Sequence, residues 1–153
     1  MCQTDIKYTV CDKCSYDEVL SFIQSVEGDF TPSLFSRINA KQYINKILSK
    51  ASINTCRHNG EIIGIIAAYD NSDITHEAYI TFLAVDSFWR HHDIASKLLE
   101  LTELSSKLHG MTSISVSTCS PAVVRLYEKN AFVIDKTEYD VIAKMNRFFL
   151  KKT

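Results

Sequence analysis

Val85-Asp86-Ser87-Phe88-Trp89-Arg90-His91-His92-Asp93-Ile94-Ala95-Ser96-Lys97-Leu98-Leu99 is the stretch that decides the fold. Before it, Ala78 to Val85 reads as a strand apolar enough to lie centrally in a sheet. After it, Ile94, Leu98, Leu101, Thr102, Ser105 and Leu108, with Ala95 and Leu99 beside them, mark one face of a long helix ended by Gly110. A central strand therefore turns through a short polar loop into a long helix. The first N–H groups of such a helix have no intrahelical acceptor, point into the loop and sit at the positive end of the helix dipole. A pyrophosphate fits such a place.

Working toward the N-terminus, Asn59-Gly60 separates Ser52–His58 from Glu61–Tyr69 and is a strong hairpin signal, because both residues tolerate positive φ. Asp70 to Glu77 is a polar loop. Ile6 to Val10 reads as a short strand, and Ser15-Tyr16-Asp17-Glu18 is a capping box that opens a helix. Val19, Phe22, Ile23 and Val26 share one face of it, and Gly28 lies just past its expected end. Thr31-Pro32 is compatible with a short helical turn. Asn39 with Gln42 caps a second helix, whose buried stripe is Tyr43, Ile44, Ile47, Leu48 and Ala51.

Toward the C-terminus, Met111 to Thr118 alternates as a strand. Ser120-Pro121 pairs an N-cap residue with proline at the first helical position, starting a short helix to about Asn130. Phe132 to Thr137 and Val141 to Leu150 read as the closing strands. The order is β, α, α, β, β, β, α, β, α, β, β. This is an α+β layout: a mixed, mostly antiparallel sheet of about 6 to 7 strands flanked by about 4 helices. No repeat, low-complexity tract or linker divides the chain, so residues 1–153 read as one domain.

The 153 residues, 46% hydrophobic and 23% charged, suit a single core that needs no disulfide or metal staple. A net charge of -1 without a basic stripe argues against nucleic acid. Ile62 to Tyr69, the longest apolar run, falls far short of the ~20 residues a spanning helix needs. The start carries no secretory signal, so the expected location is cytoplasmic, with no membrane partner. Five cysteines at irregular spacing suggest reduced thiols. Cys11-Asp12-Lys13-Cys14 lacks the further ligands zinc requires, and no metal is expected. Only 4 glycines are present, although close backbone approach to a phosphate usually demands glycine.

Arg90, Ile94 and Ala95 match, in type and spacing, the coenzyme A loop of the GNAT superfamily of acetyl-CoA-dependent N-acyltransferases, which this stretch resembles. That pattern is Gln or Arg, two residues, Gly, one residue, Gly or Ala. Leu126-Tyr127-Glu128-Lys129-Asn130-Ala131-Phe132 is similar to the family's Leu-Tyr-x-x-x-Gly-Phe segment. Together with the element order, the resemblance spans nearly the whole chain. Three positions depart from it: Asp93 at the loop's usual glycine, Ser120 where an asparagine often touches the pantetheine arm, and Ala131 in place of the glycine before Phe132.

The resemblance implies N-acetyl transfer from acetyl-CoA to a primary amine of a small molecule, such as an amino sugar or amino-acid-like metabolite. The amine attacks the thioester directly, without an acyl-enzyme. Ala78–Val85 then splays from Met111–Thr118, and the pantetheine lies in the gap like an extra strand. The expected cofactor contacts are Leu83, Ala84, Val85, His91, His92, Asp93, Ile94, Ala95, Ser96 and Ser120. Tyr127 is the expected general acid for the departing thiolate. Ser115 occupies the position of a glutamate base in some members, which leaves Asp70, His76 and Glu77 to take the amine's proton through water. Cys119 is read as a small buried filler near the pantetheine path.

Acceptor choice is implied for Glu27–Asn39 and Thr137–Val141. Glu27 and Asp29 are candidates to attract a cationic amine, and Arg37 and Arg57 to hold a phosphate or carboxylate. Phe88 and Trp89 are expected to pack beneath the long helix. Asp93 is expected to cap that helix through its carboxylate, in competition with a phosphate. At about 5 Å it would also repel a phosphate oxygen by about 1 to 3 kcal/mol, which histidine protonation at His91 and His92 would offset. The alternative function is a catalytically impaired GNAT-fold module that binds acyl-CoA weakly or serves as an interaction domain. A homodimer is compatible with either reading.

Overall fold

Ser15 opens the first helix, α1 (Tyr16–Val26), with a complete capping box: its hydroxyl accepts from Glu18 N, and the Glu18 carboxylate accepts from Ser15 N. Asn39 caps α2 (Ala40–Lys50) by accepting from Gln42 N at 3.0 Å. Ser120 caps α4 (Pro121–Lys129), with proline in its first turn. The computed structural model describes residues 5–29 and 39–153. The expectations for Cys2, Thr31-Pro32, Arg37 and the Asp29 side chain fall outside what is described.

The strands are β1 (Ile6–Thr9), β2 (Ser52–His58), β3 (Glu61–Tyr69), β4 (Glu77–Val85), β5 (Ser113–Thr118), β6 (Val133–Asp140) and β7 (Met145–Lys152). They form one seven-stranded sheet in the order β1-β2-β3-β4-β5-β7-β6. Every pair is antiparallel except β4 with β5. The α1 and α2 helices bury Val19, Ile23, Ile44 and Ile47 against one face of β2–β4. On the other face, α3 (Ile94–Leu108) and α4 bury Leu98, Leu99, Val124 and Tyr127 against Ile66, Ile80, Val116 and Leu150.

Gly64 fixes where α3 sits. A Cβ there would lie 3.2 Å from both Ile94 Cγ2 and Leu98 Cδ1. The missing side chain lets the first turns of α3 rest directly on β3, which sets the helix start beside the end of β4.

Strands β1, β4 and β5 begin or end one or two residues from the sequence reading, and two differences are larger. The α1 helix runs on into a 3-10 turn at Glu27–Asp29, and Gly28 does not take a positive φ. The last hairpin turns at residues 141–144, so Thr137–Val141 is largely strand and not the inter-strand loop. Asp140 makes that turn by accepting from Ile142 N and Ala143 N at 3.0 and 2.9 Å, while Lys144 takes φ 57°. An Asx turn of this kind needs neither glycine nor proline.

Candidate active site

The β4 and β5 strands pair only over Glu77↔Ser113, Ala78↔Ile114 and Tyr79↔Ser115, and diverge beyond. A β-bulge accompanies the divergence. Ala67 pairs with Phe82 and Ala68 with Ile80, so Thr81 is the extra residue. The bulge also switches the faces of β4. Ala78 and Ile80 pack toward α3 and α4, Phe82 packs toward α1 and α2, and Val85 returns to the α3 side.

Asp86 N donates to Ile63 O of β3 at 2.8 Å. Alternation along the strand then turns the Leu83 and Val85 amides away from β3, toward the side that β5 has left open, and aims Ala84 N–H at β3. Among the three residues expected here, Leu83 and Val85 thus present donors to the gap and Ala84 does not. At the strand end, Arg90 donates from Nε and Nη2 to Val85 O, both at 3.3 Å.

The loop then climbs to α3 through two left-handed residues, His91 (φ 67°) and Asp93 (φ 59°). Asp93 does not cap the helix through its side chain, contrary to expectation. A capping side chain needs an extended N-cap backbone, and the left-handed conformation directs the carboxylate elsewhere. It is 86% exposed and lies 3.7 Å from Lys129 Nζ. The Asp93 carbonyl accepts from Lys97 N. The amides of Ile94, Ala95 and Ser96 precede the first intrahelical bond and are not taken by that carboxylate.

A hollow lies over these amides, lined by Arg90, His91, Asp93, Ala95, Ser96, Leu126 and Lys129. His92 faces back, its Nδ1 within 3.1 Å of Trp89 O and 2.9 Å of Arg90 O. The Ser96 hydroxyl accepts from Asn130 Nδ2 at 3.2 Å and ties α3 to α4. Trp89 packs on the α3 side of the core against the His58 ring, centroids 4.7 Å apart and planes tilted by 45°. Phe88 does not join the core, being 80% exposed within a 3-10 turn, Ser87–Trp89, capped by Asp86.

Tyr127 is 2% exposed, edge-on to Phe132 at 5.2 Å. Burial pushes its phenol upward, and Tyr79 on β4 adds to the shift. Ala131, at the family's glycine position, has φ 70° and so carries the strain that glycine would avoid. The Ser120 hydroxyl is committed to Val123 N at 3.3 Å. Cys119 is buried, in keeping with a filler.

The groups considered for the amine's proton are dispersed. Asp70 is buried, within 2.7 Å of Ser52 Oγ and 2.8 Å of His109 Nδ1. The His76 carbonyl accepts from Thr112 N, linking β4 to the start of β5. Glu77 pairs with Lys151 at 3.1 Å and borders a second hollow on the α1–α2 side, with Tyr79, Ser115, Asp135, Lys136 and Phe149. Arg57 is engaged within the scaffold. It holds Asp12 (2.9 Å), Glu18 (2.7 Å) and Gly60 O (2.8 Å), bracing the β1–α1 junction.

Sequence reasoning missed the polar row Tyr79, Ser117 and Arg147, which crosses the sheet on the face opposite Ile114 and Val116. Tyr79 Oη lies 3.4 Å from Ser117 Oγ, which accepts from Arg147 Nη1 at 3.3 Å. The signal was present in the alternation of β5, whose serines 113, 115 and 117 face away from buried Ile114 and Val116.

Solved structures share this architecture. Ard1 from Thermoplasma volcanium is 18% identical, with 95% of this chain and 96% of that chain covered at a TM-score of 0.75. The ribosomal-protein-S18-alanine N-acetyltransferase from Escherichia coli is 12% identical, with coverage of 95% and 92% and a TM-score of 0.75. An aminoglycoside 6'-N-acetyltransferase complexed with coenzyme A is 14% identical, with coverage of 96% of both chains and a TM-score of 0.78. At these identities the likeness establishes the fold. No curated protein matches at the sequence level. The model of the acetyltransferase (GNAT) family matches residues 20–132, most of the chain and both motifs, and the chain belongs to that family.

Proposed function

We propose that this protein transfers acetyl from acetyl-CoA to a primary amine of a small molecule, by direct attack of the amine on the thioester. The observation that carries this reading is a line of backbone donors aimed away from the β3 ladder. The Leu83 and Val85 amides face the open side of β4, and the first-turn amides of α3 continue the line at its end.

The α3 amides, with Arg90 and the exposed His91 beside them, would hold the pyrophosphate. The helix dipole and the hydrogen bonds act together there. Leu83 and Val85 would fix the pantetheine arm and polarise the acetyl carbonyl, as preorganised donors aimed at developing negative charge. Tyr127 supplies the proton to the departing thiolate. Its buried phenol stays protonated well beyond neutral pH, as that role requires. Of the three candidate acceptors for the amine's proton, Glu77 alone borders the acceptor-side hollow, through which water can carry it.

The impaired-module alternative rests on Asp93 and on Ser115 in place of a glutamate base. The Asp93 carboxylate lies toward Lys129 and makes no cap bond, so it does not compete with a phosphate for the α3 amides. A thiol-release assay with acetyl-CoA over a panel of small primary amines tests the proposal. Amine-dependent release, one thiol per amide formed, is expected. Release at the amine-free rate across amino sugars, amino acids and polyamines would overturn the small-molecule assignment.

A further inference from the structure

The bulge in β4 leaves one carbonyl, that of Thr81, outside the β3–β4 ladder, because the extra residue of a bulge has no partner across the strand pair. A half-buried carbonyl in that state needs a donor. The donor comes from α2. Tyr43 Oη lies 3.1 Å from Thr81 O and 3.0 Å from Thr81 Oγ1, so the phenol donates to the carbonyl and accepts from the hydroxyl.

Tyr43 is well placed to be exact. It sits in the first turn of a helix capped by Asn39, and its neighbours Ile44 and Ile47 are fully buried against the sheet. Thr81 lies two residues before Leu83. The bulge sets which way the following amides point, since one extra residue reverses the facing of all that come after it. Without the bulge, Leu83 and Val85 would direct their amides into β3 and not into the gap.

We propose that Tyr43 is a positioning residue for acetyl transfer: by holding the Thr81 carbonyl, its hydroxyl keeps the β4 bulge in the register that aims the Leu83 and Val85 amides at the acyl-CoA groove. The consequence for catalysis rests on the proposed acetyltransferase reading. The control of the bulge does not.

The two are separable by experiment. Native-state amide hydrogen exchange on the free protein, wild type against Tyr43→Phe, reads the bulge directly. Exchange at Phe82, Ala84 and Asp86, the amides that alternation aims at β3, is expected to accelerate at least tenfold, with α3 and β5 unchanged. Equal exchange in both proteins overturns the proposal whatever the enzyme's substrate. In the second arm, Tyr43→Phe should lower kcat about tenfold in the thiol-release assay while KM for acetyl-CoA moves less than threefold, because the phosphate end of the groove is untouched. Thr81→Val removes the side-chain contact and keeps the carbonyl bond, so its kcat should stay within threefold of wild type. A loss in Thr81→Val equal to that in Tyr43→Phe assigns the effect to the hydroxyl pair and overturns the role of the carbonyl. Faster exchange without amine-dependent turnover in wild type would leave the bulge assignment standing and refute the acetyltransferase reading alone.

Discussion

Replacing Asp93 should tighten acetyl-CoA binding, and the structure separates two reasons why. The first is charge. A carboxylate about 5 Å from a phosphate oxygen costs about 1 to 3 kcal/mol between the dielectric extremes of water and a protein surface. Here the carboxylate is 86% exposed and faces Lys129, so the lower end applies: about 1 kcal/mol, or about fivefold in Kd. The second is backbone. Asp93 holds φ 59°, a region that aspartate tolerates better than most residues and glycine occupies freely.

Two substitutions divide these effects. Asp93→Asn removes the charge and keeps a side chain suited to the left-handed region. Asp93→Gly removes both charge and strain. Calorimetric titration with acetyl-CoA at low and at 0.5 M salt should show both variants binding about fivefold tighter at low salt. The gain should shrink at high salt, where screening shortens the reach of the charge. Asp93→Gly alone should also raise thermal stability. If neither variant binds tighter than wild type, the Asp93 charge lies out of reach of the bound phosphate and the placement of the pyrophosphate at this loop is refuted.

Other consequences are as direct. Ala131→Gly should stabilise the fold by about 0.5 to 1 kcal/mol, since the exposed alanine holds φ 70° where glycine escapes a penalty of about 1 to 2 kcal/mol at some entropic cost; a lowered urea midpoint would contradict this. Tyr127→Phe should cut kcat about a hundredfold while Kd for acetyl-CoA stays within about twofold, and unchanged turnover would remove Tyr127 from the mechanism. The Glu18 carboxyl is lowered to about 2 by its bond to Arg57, against an ordinary value of 4.5. Its contribution to stability is therefore whole above pH 4.5 and fades as pH falls toward 2. Glu18→Gln keeps the capping box and loses the charge, so its urea midpoint should fall less steeply than wild type across that window; parallel profiles would refute the assignment.

Local chemistry made most of the fold legible in the sequence. Ser15 with Glu18, Asn39 with Gln42, Asn59-Gly60, Gly110 and Ser120-Pro121 each satisfy or free specific backbone groups within a few residues, and each marks an element end in the structure. The last hairpin was misplaced because Asp140, with no glycine or proline nearby, closes its turn by side-chain bonds. The site was legible only as far as backbone amides follow from strand and helix geometry. The direction of the Asp93 carboxylate follows from a dihedral angle, and the Thr81 carbonyl finds its donor 38 residues away in α2. Neither leaves a mark in local residue patterns. The missing glycines did leave one: Asp93 and Ala131, where the family pattern has glycine, are both left-handed.

The central claim is that acetyl-CoA lies along the opened edge of β4 and ends on the first turn of α3. Mapping backbone amide chemical shifts during titration with acetyl-CoA tests it most directly. The account predicts that the largest changes fall on Leu83, Val85, Ile94, Ala95 and Ser96, with Ala84 smaller because its amide faces β3. Saturable binding with changes confined to other elements, or no binding at millimolar acetyl-CoA, would contradict it.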